Sequence, residues 1–453
     1  MPSERRPRTT ARATSRSAAP PPEVPAPPDG SEDGTTGRLL VLLAEGAERS
    51  AATRGLARAA GVKVASSADL GVDAPAELEV GAGLFLDTLG VVVIEPAPDQ
   101  LAAVAAASGA ADGVVAVEPE RIVYAIDEPS GDYVRGFRDG VDDLAERVLA
   151  QGGGGGGEPA VTETFLDTDT TWGLKATGVV GTTFTGKGVR VAVLDTGFDS
   201  GHPDFVGRQV TRATFITGQT ADDGHGHGTH CIGTACGPRQ PQTQPAYGVA
   251  SEAEIFVGKV LSNQGRGADG GILAGIDWAI RNACTVISMS LGAPVALGGG
   301  FSTVYETDAQ RALAAGCLIV AAAGNESSRP GRISPVGHPA NCPSVIAVAA
   351  LDSSLAIARF SSGGMNLLGG QVDIAAPGVA VRSSVPRPRL YATMNGTSMA
   401  TPHAAGLVAL HAEANPGMKG ASLGWLLLQS ARRLSLPNRD IGAGLAQAPG
   451  AAL

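Results

Sequence analysis

Near-continuous apolar runs recur through the second half of the chain: "VRVAVLDTG" (189–197), "AEIFVGKVLS" (253–262), "CTVISMSLG" (284–292), "CLIVAAAGN" (317–325) and "SVIAVAAL" (344–351). Runs of this length with many β-branched residues predict strands buried on both faces. Between them lie helical patterns, such as "GILAGIDWAIRNA" (271–283), where Leu273, Ile276 and Ile280 recur at helical spacing. Strands alternating with helices predict a parallel central sheet with helices on both faces. In such α/β folds polar chemistry collects at the carboxyl ends of the strands.

The first half reads differently. Residues 1–36 are rich in Pro, Arg and Ser and predict a disordered tail. Residues 37–126 carry strand patterns in "GRLLVLLAE", "VKVASSADL", "LGVVVIEP" and "VVAVEPERIVYA". Two Ala-rich helical patterns, 46–61 and 98–113, lie among them. The order βαββαβ predicts a small α+β, ferredoxin-like domain. Residues 127–165 include a short helical pattern near 138–150 and then six glycines, Gly152–Gly157, which reads as a linker. The α/β domain occupies 166–453.

Composition narrows the partners. The 453 residues are 43% hydrophobic and carry a net charge of −10, which argues against nucleic acid or an anionic membrane as the main partner. No apolar run approaches the ~20 residues of a spanning helix. The start lacks the apolar region of a secretory signal, so the compartment stays open between cytoplasmic by default and extracellular. The five cysteines leave at least one thiol unpaired. Cys284 and Cys317 precede apolar runs and could pair if those strands are neighbours.

Four polar motifs carry the candidate chemistry. Asp195 ends the apolar "VAVLD", either as a strand-end cap or as a poorly solvated carboxylate that needs a partner. "DDGHGHGTHCIGTACG" (222–237) sets His225, His227 and His230 among glycines, before a helix expected near Thr229. That spacing suits either a metal or one catalytic imidazole with packed neighbours. Asn325 follows Gly324 at a strand end, as a turn residue or an oxyanion donor. "MNGTSMATPHAAG" (394–406) offers the hydroxyls Thr397, Ser398 and Thr401 at the start of a small-residue helix. Pro402 fits its first turn.

Taken in order, Asp-Thr-Gly, His-Gly-Thr-His, Gly-Asn and Gly-Thr-Ser-Met-Ala-Thr-Pro-His resemble the subtilisin-like (subtilase) serine peptidases over about 166–450. The resemblance implies Asp195 as the orienting acid, His227 as general base, Ser398 as nucleophile and Asn325 as oxyanion donor. It implies substrate strands at Ser290, Leu291 and Gly292 and at Gly265 and Gly267. Ala322, Ala323 and Gly324 would wall the pocket for the residue before the scissile bond, with Glu326 on its rim or solvated. Thr397, Thr401 and His403 would be structural, and Cys231 a buried small hydrophobe. No cofactor and no catalytic metal are implied. The calcium loop of many relatives would fall at 237–248, but "GPRQPQTQPAYG" has no carboxylate; Asp204 alone could serve as a ligand. The 37–126 unit resembles the family's inhibitory propeptide. The expected function is therefore a serine endopeptidase made as a self-inhibited zymogen and acting on protein or peptide substrates. A dedicated precursor processor or transpeptidase, and a silent peptide-binding scaffold, share the same residues.

Overall fold

The computed structural model describes residues 34–45, 54–55, 63–67, 82–96, 113–126 and 163–451. The expected disordered start through residue 33, the first N-terminal helix apart from the helical residues 54–55, the second N-terminal helix and the glycine run lie outside the described residues.

The N-terminal unit is built on strands β1 (Thr35–Leu43), β2 (Lys63–Ser66), β3 (Ala82–Leu86), β4 (Val91–Ile94) and β5 (Val114–Ala125). β1 begins at Thr35, inside the stretch expected to be tail. The sheet order is β5-β1-β4-β3-β2. One strand was not expected: β3 forms a hairpin with β4 around Asp87–Gly90 and takes the inner position. The "KVAS" strand is left at the edge, parallel to β3. It alternates exposed and half-buried residues, which is an edge pattern, whereas β4 is buried throughout.

The larger unit holds the expected parallel sheet. Its strands are β6 (Arg190–Asp195), β7 (Val210–Thr214), β8 (Glu254–Lys259), β10 (Val286–Met289), β12 (Leu318–Ala322), β13 (Ile346–Leu351) and β14 (Ile374–Pro377). Their order is β14-β13-β12-β10-β6-β8-β7, all parallel. From β6 the chain crosses to the edge strand β7, returns to β8 between them, and then builds the other side in the order β10, β12, β13 and β14. The carboxyl end of β6, where Asp195 sits, is thus at the point where strand order reverses, the usual place for a site. Two cores flank the sheet. A short helix α1 (Trp172–Ala176) precedes β6. One core contains helices α3 (Asp269–Arg281) and α4 (Thr303–Ala314); the other contains α2 (His227–Cys236) and the long α5 (Thr397–Ala414). All five cysteines are free and buried, Cys284 and Cys317 included. No helix among the described residues is long and apolar enough to cross a membrane.

The two units meet through backbone and charge. The short strands β9 (Arg266–Ala268) and β11 (Leu291–Gly292) both pair antiparallel with the end of β5. Glu118 of β5 reaches the start of α4, where its carboxylate accepts from Thr303 N at 2.7 Å and from Ser302 Oγ at 2.6 Å. Glu120 accepts from Gly270 N at 2.8 Å at the start of α3. An anion on free helix N–H groups is worth about 1 kcal/mol each. Acids of the larger unit are engaged too: Asp269 accepts from Arg121 N at 3.0 Å and Asp277 from Thr88 N at 3.0 Å.

Candidate active site

Asp195 and His227 meet as expected from their places at the end of β6 and the start of α2. His227 Nδ1 lies 2.7 Å from Asp195 Oδ1, with both side chains essentially inaccessible to water. Thr196 N donates to the same oxygen at 2.6 Å. Gly228 brings the helix start against the strand end. A side chain there would collide with Gly197 O, and its N–H donates to Thr196 Oγ1 at 2.8 Å.

The turn before His227 hangs on a residue that sequence reading did not single out. Asp223 Oδ1 accepts from Thr196 Oγ1 (2.9 Å), His225 N (3.0 Å) and Gly226 N (2.7 Å). Its Oδ2 accepts from Thr229 N (2.8 Å) and Oγ1 (2.7 Å). A carboxylate here both caps α2 and ties the turn to the Asp195 strand. The available signal was an acid ahead of a helix start, in "DDGHGHGTH". The helix begins at His227, two residues before the expected Thr229. The three histidines part ways: His227 faces Asp195, His230 Nε2 bonds Val381 O at 3.0 Å, and His225 is exposed. Burial holds the imidazole of His230 neutral, down to about 3, and that of His403 down to about 4.

Ser398 is the second residue of α5 and fully buried beneath the bound strand. Pro402 corrects the reading of this helix. It stands five residues past Thr397, beyond the first turn. Proline has no N–H, so the carbonyl four residues earlier, that of Ser398, loses its helical partner. That oxygen accepts instead from Ser290 Oγ at 2.8 Å and lies 3.6 Å from Cys231 Sγ. Cys231 Sγ is also 3.9 Å from both ring nitrogens of His227, and burial pushes its thiol up to about 11. A neutral thiol thus packs against both the His227 ring and the Ser398 carbonyl.

Asn325 and Thr397 act together. Asn325 Oδ1 accepts from Thr397 N and Thr397 Oγ1, both at 2.9 Å. With the oxygen end occupied by two donors, Nδ2 must face outward. It donates to Ile126 O at 3.0 Å. Thr397, expected to be structural only, therefore orients the amide. Thr401 Oγ1 bonds Thr397 O at 2.9 Å within the helix.

The end of β5 lies across this group. Ile126 O is 2.6 Å from Ser398 Oγ, and Ile126 N donates to Ser290 O at 3.3 Å. Ala125 N donates to Gly265 O at 2.9 Å and Ala125 pairs with Leu291; Tyr124 pairs with Gly292 and Val123 with Gly267. Ser290, Leu291, Gly292, Gly265 and Gly267 are thus the backbone edges on either side of one extended strand. Ala323 is buried behind them, and Gly324, at φ +115°, leaves the space into which Glu326 folds to accept from Ser362 Oγ at 2.9 Å.

A family model described as the subtilase family matches residues 186–444, more than half of the chain. The chain belongs to the subtilase family. Subtilisin NAT of Bacillus subtilis subsp. natto is 41% identical over 252 residues, covering 55% of this chain and 62% of the relative. Subtilisin of Bacillus pumilus is 41% identical over 252 residues, 86% of its own length. Alkaline elastase YaB of Bacillus sp. (strain YaB) is 39% identical over 269 residues, 65% of its length. The match spans about three fifths of the length of the first of these relatives. All four residues of the subtilase motifs, Asp195, His227, Asn325 and Ser398, lie within the matched region.

The calcium that the family implies does not fit the residues near 237–248. Asp204 Oδ1 accepts from Gln242 N at 2.8 Å and from Tyr391 OH at 3.1 Å. Its Oδ2 accepts from Tyr247 OH at 2.6 Å and from Tyr391 OH at 3.0 Å. Burial first, and Asp204 beside it, hold both phenols protonated above their usual range. They are therefore donors, and with Gln242 N they engage both oxygens of the carboxylate.

Proposed function

We propose that this subtilase is a serine endopeptidase made as a zymogen, whose N-terminal domain fills the substrate cleft and whose first cut falls between Ile126 and Asp127. The observation that carries this reading is the Ile126 carbonyl, bonded by Asn325 Nδ2 at 3.0 Å and lying 2.6 Å from Ser398 Oγ. A scissile carbonyl needs that pairing of nucleophile and oxyanion donor.

Ser398 Oγ attacks the Ile126 carbonyl carbon while His227 takes its proton, and Asp195 stabilises the imidazolium that forms. Asn325 Nδ2 holds the oxyanion. Collapse breaks the Ile126–Asp127 C–N bond, and His227 returns the proton to the Asp127 amine. Water, deprotonated by His227, then releases the acyl group from Ser398. In foreign substrates the position of Ile126 becomes P1. Val123, buried completely, marks P4 as an apolar site. A serine-directed fluorophosphonate should label Ser398, and the processed protein should cleave unfolded proteins. Failure of both, with the N-terminal domain removed, overturns the reading in favour of a silent scaffold.

The Asp204 clamp supports stability without calcium at this loop. Excess chelator should move Tm by less than about 2 °C, below the effect of ~1 kcal/mol on a domain of this size. A fall of about 8 °C or more, restored by calcium, would show a cation site at Asp204 or elsewhere.

A further inference from the structure

Lys259 ends β8 with its side chain fully buried, and it takes no part in the proposed proton transfers. Its ammonium donates to Thr196 O and, at 2.8 Å, to Asn263 Oδ1. Asn263 Oδ1 also accepts from Gly224 N at 3.1 Å, in the turn ahead of His227. A side chain on Gly224 would collide with Asn263, so the turn and the amide are in close contact. Every polar group of Thr196 is thereby engaged: its N–H on Asp195 Oδ1, its hydroxyl between Gly228 N and Asp223 Oδ1, and its carbonyl on Lys259. One buried amine thus joins the strand end that carries Asp195 to the turn that carries His227.

The charges around the imidazole are unequal. Asp195 receives His227 Nδ1 and Thr196 N on Oδ1 alone, and its buried Oδ2 has no hydrogen bond. Burial first pulls the Lys259 ammonium below its usual range, and Asp223, Asp195 and Asp222 oppose that pull. The other titratable groups near the ring are Cys231 and His230, both held neutral by burial, and the exposed His225.

We infer that Lys259 is a positioning residue for this peptidase: its ammonium fixes the Asp195 strand end against the His227 turn, and its charge keeps the His227 ring free of a second proton at neutral pH. The inference rests on the protease reading. A poorly solvated carboxylate favours the protonated form of a base beside it, and a nearby positive charge disfavours that form. Asp195 therefore draws a proton onto His227, and Lys259 offsets part of that pull. The ring then stands ready to accept from Ser398. A lysine that only held the backbone in place could be replaced without moving the pH at which the base becomes active.

The rate at which a fluorophosphonate labels Ser398 in the processed enzyme, followed from about pH 5 to about pH 9, tests the inference without a chosen substrate. The rate rises as His227 loses its proton, so the acid limb of the profile reports the base. Lys259→Gln keeps a donor for Thr196 O and removes the charge. Its acid limb should move up by about one pH unit, the effect of a unit charge about 10 Å away in a protein interior. Lys259→Arg should hold the limb in place. Asn263→Asp, at an exposed position, sets a carboxylate on the ammonium and should move the limb up by about half as much. A limb unmoved or lowered in Lys259→Gln overturns the inference, as does a Lys259→Arg limb displaced as far as that of Lys259→Gln. If Lys259→Gln fails to mature, Asn263→Asp decides alone, and an unmoved limb there overturns the inference. If the wild type labels at no pH, the protease reading fails and this inference with it.

Discussion

Ser398→Ala is expected to leave the chain uncut, while the wild type yields a new N-terminus at Asp127. Turnover of any peptide substrate should fall by about a million-fold, a magnitude carried over from the subtilisins. On the proposed mechanism the substitution removes the attacking oxygen, the hydroxyl lying 2.6 Å from Ile126 O. It leaves Asn325 Nδ2 on that carbonyl, the paired edges of β9 and β11, and the Glu118 and Glu120 contacts to two helix starts. The uncut N-terminal domain should therefore stay docked, and the variant should resist added protease within β5. Intact mass over time, with N-terminal sequencing of the wild-type fragment, reads the result. A cut elsewhere, or processing of Ser398→Ala by itself, would remove the assignment of Ile126 as P1.

Asn325→Ala should lower kcat by about 10²–10³ with KM changed only a few-fold, again a size taken from the subtilisins. The bond to the ground-state carbonyl is already present at 3.0 Å, but the gain comes as charge grows on the oxygen. Thr397→Val is the informative companion. It keeps the Thr397 N–H donor but removes the hydroxyl that Asn325 Oδ1 also accepts from and that accepts from Gly324 N at 3.1 Å. The amide then loses half of what fixes its direction, so kcat should fall by about tenfold, between wild type and Asn325→Ala. Steady-state kinetics on one peptide separates the terms. A rise in KM at constant kcat would place Asn325 in ground-state binding instead.

The legible part of the molecule was the part with a local physical signature. Apolar runs of five or six residues became β6, β8, β12 and β13, because a strand buried on both faces has no choice of composition. β7, "VTRAT", escaped notice: it is an edge strand with only Ala213 buried. β9 and β11 left no apolar pattern and were expected only from the family resemblance, as substrate strands. At three and two residues they exist only through pairing with β5. Asp223 showed only as an acid ahead of a helix start and Thr397 only as one of three hydroxyls, since each acts through bonds to backbone and side chains brought near by folding. Pro402 was legible as a residue and misread as a position, because its consequence, the carbonyl left to Ser290, spans 108 residues.

Four short motifs, each a glycine-flanked polar residue at the end of an apolar run or the start of a helix, sufficed to name the family and to single out Asp195, His227, Asn325 and Ser398 as candidates. Such motifs are local: the residue types needed for the chemistry must stand in the chain whatever surrounds them. Which carbonyl lies against Ser398 was decided only by the assembled fold. It depends on where β5 ends, on register against two short edges, and on acids meeting helix starts more than a hundred residues away. Register across such distances is set by the sum of many weak contacts, and no window of sequence contains that sum.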